Sequence, residues 1–247
     1  MNPTIEQTMR SLKLGGMAKE WHKVKHHDNE QYLRELLEIE VREREANRMN
    51  RMVKQAGFKV IKKLGNFIWK QGIEIPASIT SEEIEEADFV NRKENLVLMG
   101  ATGTGKTHLA AAIALSLCEK GRHVMFYTAT SLAHILQERN QKGQLNAFLK
   151  SLNKVELLVL DEIGFITLHK EAAELIFQVV TECYEQRSII VTSNLEFSQW
   201  NTVLGNNKLT AALIERLIHH SHVVIFSGPS HRLEESVKRQ KRGGGAR

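Results

Sequence analysis

Eight consecutive residues, Gly100-Ala101-Thr102-Gly103-Thr104-Gly105-Lys106-Thr107, have the types and the spacing to wrap a polyanion. Glycines at the first, fourth and sixth places let the backbone curl so that successive amides point inward, where bulkier residues would block phosphate oxygens. Lys106 can reach terminal phosphates, and Thr107 can hold Mg²⁺. The run Leu96-Val97-Leu98-Met99 before the loop reads as a short buried strand, and Lys106 to Cys118 after it reads as a helix. The loop therefore delivers an anion to a helix N-terminus, where the dipole and the unpaired amides favour negative charge. In that strand, loop and helix order, the spacing implies a nucleoside triphosphate, ATP or GTP.

A second segment supplies acids. Val155 to Glu162 is a largely apolar run that ends in Asp161-Glu162, the pattern of a central parallel strand with carboxylates at its C-terminal edge. Ligands of open α/β sheets bind at that edge. Asp161 is placed to act on Mg²⁺, directly or through its water, and Glu162 to polarise a water for in-line attack on the γ-phosphate. A third strand, Ser188 to Ser193, ends at Asn194, a neutral polar residue suited to orienting that water or, more simply, to making a turn.

Together these motifs resemble the AAA+ ATPases, whose first sensor residue corresponds to Asn194. The stretches GATGTGKTHLAAAIA, LLVLDEIGF and LIERLIHHSHV resemble more closely the IstB family, ATP-binding helpers of insertion-sequence transposases, and the likeness runs through almost the whole chain. Helicase loaders of the DnaC type share the same core. The resemblance implies ATP rather than GTP, and it gives Arg216 the part of a finger that reaches the γ-phosphate held by a neighbouring subunit. Arg216 stands near the end of a helix expected over Leu209 to His220, ahead of a strand from His222 to Phe226. Arg232 resembles a second-sensor arginine, without the helical lid that usually carries one. Between the strand Val124 to Tyr127 and the acidic strand, Ser131 to Leu152 reads as two helical pieces parted by Gln141-Lys142-Gly143. An additional helix at that place in initiators and loaders favours spiral assembly around or along nucleic acid; an ordinary long βα connection is the alternative.

The elements that must position these groups fit an α/β fold, a parallel-sheet P-loop AAA+ ATPase core with an N-terminal helical domain. A chain of 247 residues is long enough for one such core and an appendage. Its 42% hydrophobic content is ordinary for a globular protein, with no apolar run long enough for a bilayer and no secretion signal at the start. Cys118 and Cys183 lie in apolar helical contexts and read as reduced core residues. These features suggest the cytoplasm. Gly65, Gly72 and Pro76 interrupt the helical pattern, which suggests a helical domain over 1–70, a linker over 71–90 and the ATPase domain over 91–247. Before the boundary, one helical segment is expected over Thr4 to Lys25, broken at Gly15-Gly16, and another from near Asn29 past Arg51.

That second helix arranges its charge. Arg44, Arg48, Arg51, Lys59 and Lys62 share a face if the helix runs through Gly57, with Met49, Val53, Ala56 and Val60 opposite; a break at Gly57, which would divide the stripe, is the alternative. A net charge of +5, a pI near 9.2 and the Lys238-Arg239-Gln240-Lys241-Arg242 tail agree with a polyanion partner. Binding through such a stripe would be backbone-directed, tolerant of sequence and weakened by salt; a solvated helix face is the simpler reading. His219, His220 and His222 have no Cys or Asp at metal-ligand spacing and read as helix-end polar residues. Trp21, Trp69 and Trp200 read as packing anchors.

The functional expectation is an ATP-dependent, DNA-binding AAA+ regulator of transposition. It forms a homo-oligomer on duplex DNA, hydrolyses ATP with Mg²⁺ and works with a transposase; the transposition role comes from the resemblance alone. A helicase loader of the DnaC type would use the same ATPase core on a different partner. A small-molecule P-loop kinase would need neither DNA nor a neighbour's arginine.

Overall fold

The structure, a computed structural model, describes residues 4–25 and 28–231. The chain forms two compact units, residues 1–54 and 55–247.

The first unit contains α1 (Ile5–Ser11), α2 (Gly15–Glu20) and all but the last two residues of α3 (Asn29–Ala56). A capping box between Thr4 and Gln7 starts α1. The interruption falls at residues 12–14, ahead of the glycine pair, and Gly15-Gly16 forms the first turn of α2. Packing explains the offset: a Cβ on Gly16 would lie 2.7 Å from Glu43 Cβ and 3.0 Å from the Ile39 carbonyl, so Gly16 lets α2 approach α3. Met17, Ala18, Leu36, Ile39 and Met52 are the buried apolar residues among those described in this unit.

The second unit adds β1 (Ile73–Glu74), α4 (Ser81–Glu86), α5 (Asp88–Asn91), β2 (Asn95–Gly100), α6 (Lys106–Glu119), β3 (Val124–Thr128), α7 (Ala129–Gln141) and α8 (Leu145–Ser151). It continues through β4 (Leu157–Ile163), α9 (Lys170–Cys183), β5 (Ser188–Ser193), α10 (Asn201–Leu204), α11 (Asn207–Ile218) and β6 (Ser221–Phe226). The six strands are ordered β1-β6-β2-β5-β4-β3, parallel except for β1, which pairs antiparallel with β6 through Ile73 and Phe226. The stretch 71–90 thus contributes an edge strand and two short helices to this unit; α4 begins with a Thr80–Glu83 capping box.

Continuous apolar sequence explains the interior strands. Leu96, Val97, Leu98, Leu158, Val159, Leu160, Ile190 and Val191 are all fully buried, as expected for parallel strands covered by helices on both faces. Helix α6 is apolar nearly all round and is buried nearly all round, from Leu109 to Cys118. Cys118 and Cys183 are free and fully buried, and burial pushes both thiols up to about 11. Trp200 is fully buried against the same core. Asn95 joins β2 to its neighbours: its Nδ2 donates to the Leu217 carbonyl at 3.0 Å, and its Oδ1 accepts from Ile189 N at 2.9 Å. Because β2, β4, β5 and β6 are parallel, the loop after β2 and the acids of β4 meet at one edge of the sheet.

Candidate nucleotide site

The glycine-rich loop is shaped by its neighbours. Gly100 has φ +140°, and a Cβ there would lie 2.1 Å from the Phe226 carbonyl of β6, so only glycine fits beside that strand. Gly103 and Gly105 also have positive φ, and Gly105 leads directly into α6. Positive φ at three glycines is the backbone geometry that turns successive loop amides inward, as an anion-binding loop requires. Lys106 is buried, and its Nζ donates to the Gly100 and Ala101 carbonyls, each at 2.7 Å. Thr104 Oγ1 donates to the Ala101 carbonyl at 2.9 Å and holds the turn between Thr102 and Gly103.

The acids join this loop through hydroxyls. Strand β5 lies between β2 and β4, so Thr192 pairs with Leu98 on one side and faces the end of β4 on the other. Asp161 is buried at 3% exposure, and its Oδ1 accepts from Thr107 Oγ1 at 2.8 Å and from Thr192 Oγ1 at 2.6 Å. Thr192 Oγ1 accepts in turn from the Glu162 amide at 2.9 Å. The β4–β5 register shifts between Leu160 and Ile163, and Glu162 has φ +62°, a conformation unusual outside glycine. This bulge buries Asp161 and leaves the adjacent Glu162 exposed. Asn194 is exposed just beyond β5, with its Oδ1 3.4 Å from the position a Cβ on Gly164 would take.

Several groups at the loop had no signal in the motifs. His108, the first residue after Thr107, packs its ring on Phe67 at 5.6 Å, and Phe67 lies edge-on to Trp69 at 5.1 Å. Trp69 Nε1 donates to Glu85 Oε1 at 2.6 Å, so Trp69 anchors this segment as well as packing. The His231 amide donates to the Gly103 carbonyl at 2.9 Å. Burial first, then the charges of Lys62 and His231, lower the His108 pKa against a bond to the Lys63 backbone.

Arg216 lies elsewhere in its own chain. Helix α11 runs from the carboxyl edge of the sheet back toward the start of β6, and Arg216 is two residues from the helix end. Its Nη1 donates to the Ala212 carbonyl at 3.3 Å, and its guanidinium sits 4.7 Å from the Phe177 ring centroid. Six-residue strands separate the two edges by about 20 Å, more than an arginine side chain spans. His219 and His220 follow at the amino edge, where the fold supplies the carboxylate that sequence spacing lacked: Glu185 and the two imidazoles have possible ligand atoms within 4.8 Å of one another, all exposed. His222 is instead buried, bonded to Ser78 at 2.8 Å and Glu94 at 2.9 Å.

The basic stripe is shorter than the continuous helix would make it. Helix α3 ends at Ala56, Gly57 has φ +82°, and Lys59, Val60 and Lys62 therefore lie outside the helix. Arg48 and Arg51 are exposed on α3. Arg44 is engaged within its unit: its Nε donates to Glu40 Oε1 at 2.8 Å and its Nη2 to the Lys13 carbonyl at 3.1 Å. Arg232 and the 238–242 tail lie outside the described residues.

Glu40 also caps α2, accepting from the Gly16 amide at 2.8 Å and the Met17 amide at 3.2 Å. Burial opposes its ionisation, but hydrogen bonds from Arg44, Met17 and Gly16 outweigh burial and hold the carboxyl below the usual glutamate range. A depressed folded pKa gives stability that is complete above the unfolded value, about 4.3, and lost as pH falls through the folded value. Glu40→Gln should therefore lower the melting temperature near neutral pH, and the gap from the parent should close on acidification below about pH 4. Parallel melts of both proteins across that range check this; a constant gap contradicts it.

Among the described residues no helix is long and apolar enough to cross a membrane. Residues 7–239 match the family model described as IstB-like ATP binding protein. The chain is 31% identical over 244 residues to the ATP-binding protein assigned to insertion sequence IS5376 of Geobacillus stearothermophilus, covering 95% of this chain and 96% of that one. It is 35% identical over 190 residues to the corresponding protein of IS21 from Pseudomonas aeruginosa, covering 77% and 71%. Among solved structures, the DnaC helicase loader superposes with a TM-score of 0.51 at 23% identity, covering 66% of this chain and 96% of that one. DnaA from Aquifex aeolicus, bound to AMPPCP, gives 0.55 at 23% identity, with 73% and 55% covered. A mostly parallel sheet of the DnaA and DnaC type, a glycine-rich loop and helix bonded through Thr107 to the buried Asp161, and a match through nearly the whole length make this chain a member of the IstB-like family of insertion-sequence ATP-binding proteins, on the AAA+ fold.

Proposed function

We propose that this protein is an ATP-dependent regulator of transposition that oligomerises on duplex DNA, hydrolyses ATP and cooperates with a transposase. The observation that carries the hydrolytic part is the Thr107–Asp161–Thr192 hydrogen-bond chain, which ties the phosphate loop to the acidic strand. The residues present fit ATP with Mg²⁺: the Gly100–Thr107 loop, which a Cβ at Gly100 would disrupt, would hold the phosphates, and Thr107 with Asp161 would hold the metal. ATP supplies the phosphoanhydride, and Mg²⁺ supplies charge neutralisation on its oxygens.

The chain's own groups do the rest. Lys106 Nζ, which donates to the Gly100 and Ala101 carbonyls, would exchange those partners for the phosphates of bound ATP and supply positive charge to them. Glu162, exposed beside the buried Asp161, accepts a proton from water, and Asn194 orients that water. Arg216 stands too far from its own loop to serve it, so it acts on the site of the next copy, and ATP becomes the joint between copies. Arg48 and Arg51 offer cations to the DNA backbone. The two-part α7–α8 connection favours a spiral arrangement of copies. Insertion-sequence relatives that match along the whole chain favour a transposase over a replicative helicase as partner.

Imaging the purified protein with duplex DNA and a non-hydrolysable ATP analogue tests this reading. Ordered assemblies are expected for the parent and not for Lys106→Ala. Assembly by Lys106→Ala as readily as by the parent contradicts it. Capture of a helicase rather than the transposase would move the protein to the loader function.

A further inference from the structure

The carboxylate and two imidazoles that gather ahead of β5 and β6 come from turns that the fold holds in place. Strands β5 and β6 run parallel to β2 on either side of it, so the turn after α9 and the turn after α11 open at the same edge of the sheet. Asn95, at the start of β2, ties the two together. Its amide donates to the His220 carbonyl at 2.6 Å and its Nδ2 to the Leu217 carbonyl, while its Oδ1 accepts from Ile189 N. Glu185 follows the C-cap of α9 with φ +55°, a left-handed place where glycine or asparagine is usual. The turn itself has no need of a carboxylate, yet this one faces two histidines. Glu185 Oε1 stands 3.9 Å from His219 Nδ1 and 3.7 Å from His220 Nε2, and the two imidazole rings lie 4.2 Å apart.

These three groups have the chemistry of a metal centre. Their possible ligand atoms lie within 4.8 Å of one another. Tetrahedral ligands bonded at ~2.0–2.1 Å to zinc stand about 3.3 Å apart, a difference that small rotations of exposed side chains close. Imidazole nitrogens suit Zn²⁺ and its neighbours, whereas Ca²⁺ and Mg²⁺ take oxygen ligands. The surroundings favour a cation as well. Helices α9 and α11 both end at the cluster and bring the negative ends of two helix dipoles to it. Arg187 is engaged by the Glu182 carbonyl and Asn153, and Arg216 by Phe177 and the Ala212 carbonyl. Tyr184 Oη bonds His219 Nδ1 at 2.9 Å and also bonds Glu185, so it can release the imidazole and stay on the carboxylate as an outer partner.

We propose that Glu185, His219 and His220 bind a Zn²⁺ ion, with water completing the tetrahedron. The ion clamps the end of α9 to the end of α11, whose last turn carries Arg216. The site shares no residue with the glycine-rich loop or Asp161, so it goes beyond the nucleotide reading and does not rest on it.

Equilibrium dialysis of the untagged full chain against micromolar Zn²⁺, without nucleotide or DNA, tests this. The parent should hold about one ion per chain at such a three-ligand centre. His219→Ala, His220→Ala and Glu185→Gln should each weaken binding by at least about tenfold, the lower end of what losing a mere outer partner costs. His134→Ala, at an exposed histidine on α7, should bind like the parent, and so should Asp161→Asn, which separates this ion from the nucleotide site. Zn²⁺ should raise the melting temperature of the parent and of His134→Ala but not that of His220→Ala, a readout that also reports whether each variant is folded. No Zn²⁺ held by the parent, unchanged binding in any one of the three ligand variants, or an equal loss in His134→Ala or Asp161→Asn would each overturn the proposal.

Discussion

Arg216→Ala should lower the DNA-stimulated hydrolysis rate by about 10³ to 10⁵, the range for nucleotide hydrolases that lose an arginine finger, while ATP still binds. The size follows from where the charge acts. A guanidinium placed against the γ-phosphate neutralises charge that builds during transfer, so its contribution appears in the transition state far more than in the bound ground state. In its own chain Arg216 rests over Phe177 of α9, in the last turn of α11, and the glycine-rich loop lies at the carboxyl edge of the sheet. If Arg216 serves the site of the next copy, the loss should be repairable in trans. Mixing Arg216→Ala with Lys106→Ala should restore hydrolysis, because the first retains a working phosphate loop and the second retains the arginine. Rescue should rise with total protein concentration and disappear when both substitutions are in one chain. A titration showing no rescue, with both variants folded, would mean that Arg216 is an ordinary helix arginine packed on an aromatic ring. A metabolite kinase working as a single subunit would show none either.

The backbone course of the glycine-rich loop was legible because its requirements are local. Glycine at 100 is demanded by the neighbouring Phe226 carbonyl, and the spacing to Lys106 and Thr107 is set by one turn of backbone, so a contiguous motif carries the whole design. The interior strands were legible for a related reason: burial on both faces removes the alternation of polar residues, and unbroken runs such as Leu157 to Leu160 remain. The role of Thr192 was not legible. Its bond to Asp161 exists because β5 lies directly beside β4, and strand order is a tertiary property that neither segment encodes alone. The same holds for Glu185 beside His219 and His220, and for His231 on Gly103. The length of the basic stripe turned on one residue. Helical periodicity extended across Gly57 would align Lys59 and Lys62 with Arg44, but Gly57 takes the left-handed conformation that ends a helix, and Lys62 comes instead to the neighbourhood of His108. Arg44 shows a different limit: a helical wheel gives direction, and only the fold reveals that Glu40 and Lys13 already occupy that guanidinium.

Hydrolysis should divide cleanly from binding at the bulge of β4. Glu162→Gln should reduce turnover by about 10² to 10⁴, the usual contribution of a positioned general base, and leave ATP affinity close to the parent's. Assemblies on DNA should then persist, since the proposed general base is gone while the loop and Arg216 remain. Thr192→Val separates aim from chemistry. Valine keeps the β-branched shape that suits the buried strand but removes the hydroxyl that donates to Asp161 at 2.6 Å and accepts the Glu162 amide at 2.9 Å. Asp161 then retains Thr107 alone of these two hydroxyl donors, and the Glu162 amide loses the partner that fixes its left-handed backbone. Orienting partners of this kind are worth about 10- to 100-fold in activity, so the turnover number should fall by that factor with little change in KM. Thr192→Ser, which restores the hydroxyl without the methyl, should recover most of the rate, a result that a packing role for Thr192 would not produce. Because the bulge and not the loop is altered, Thr192→Val should still assemble on DNA with the non-hydrolysable analogue. Should Thr192→Val hydrolyse ATP at the parent rate, the hydroxyl relay between the phosphate loop and the acidic strand has no catalytic consequence, and Glu162 must be held by its own strand geometry.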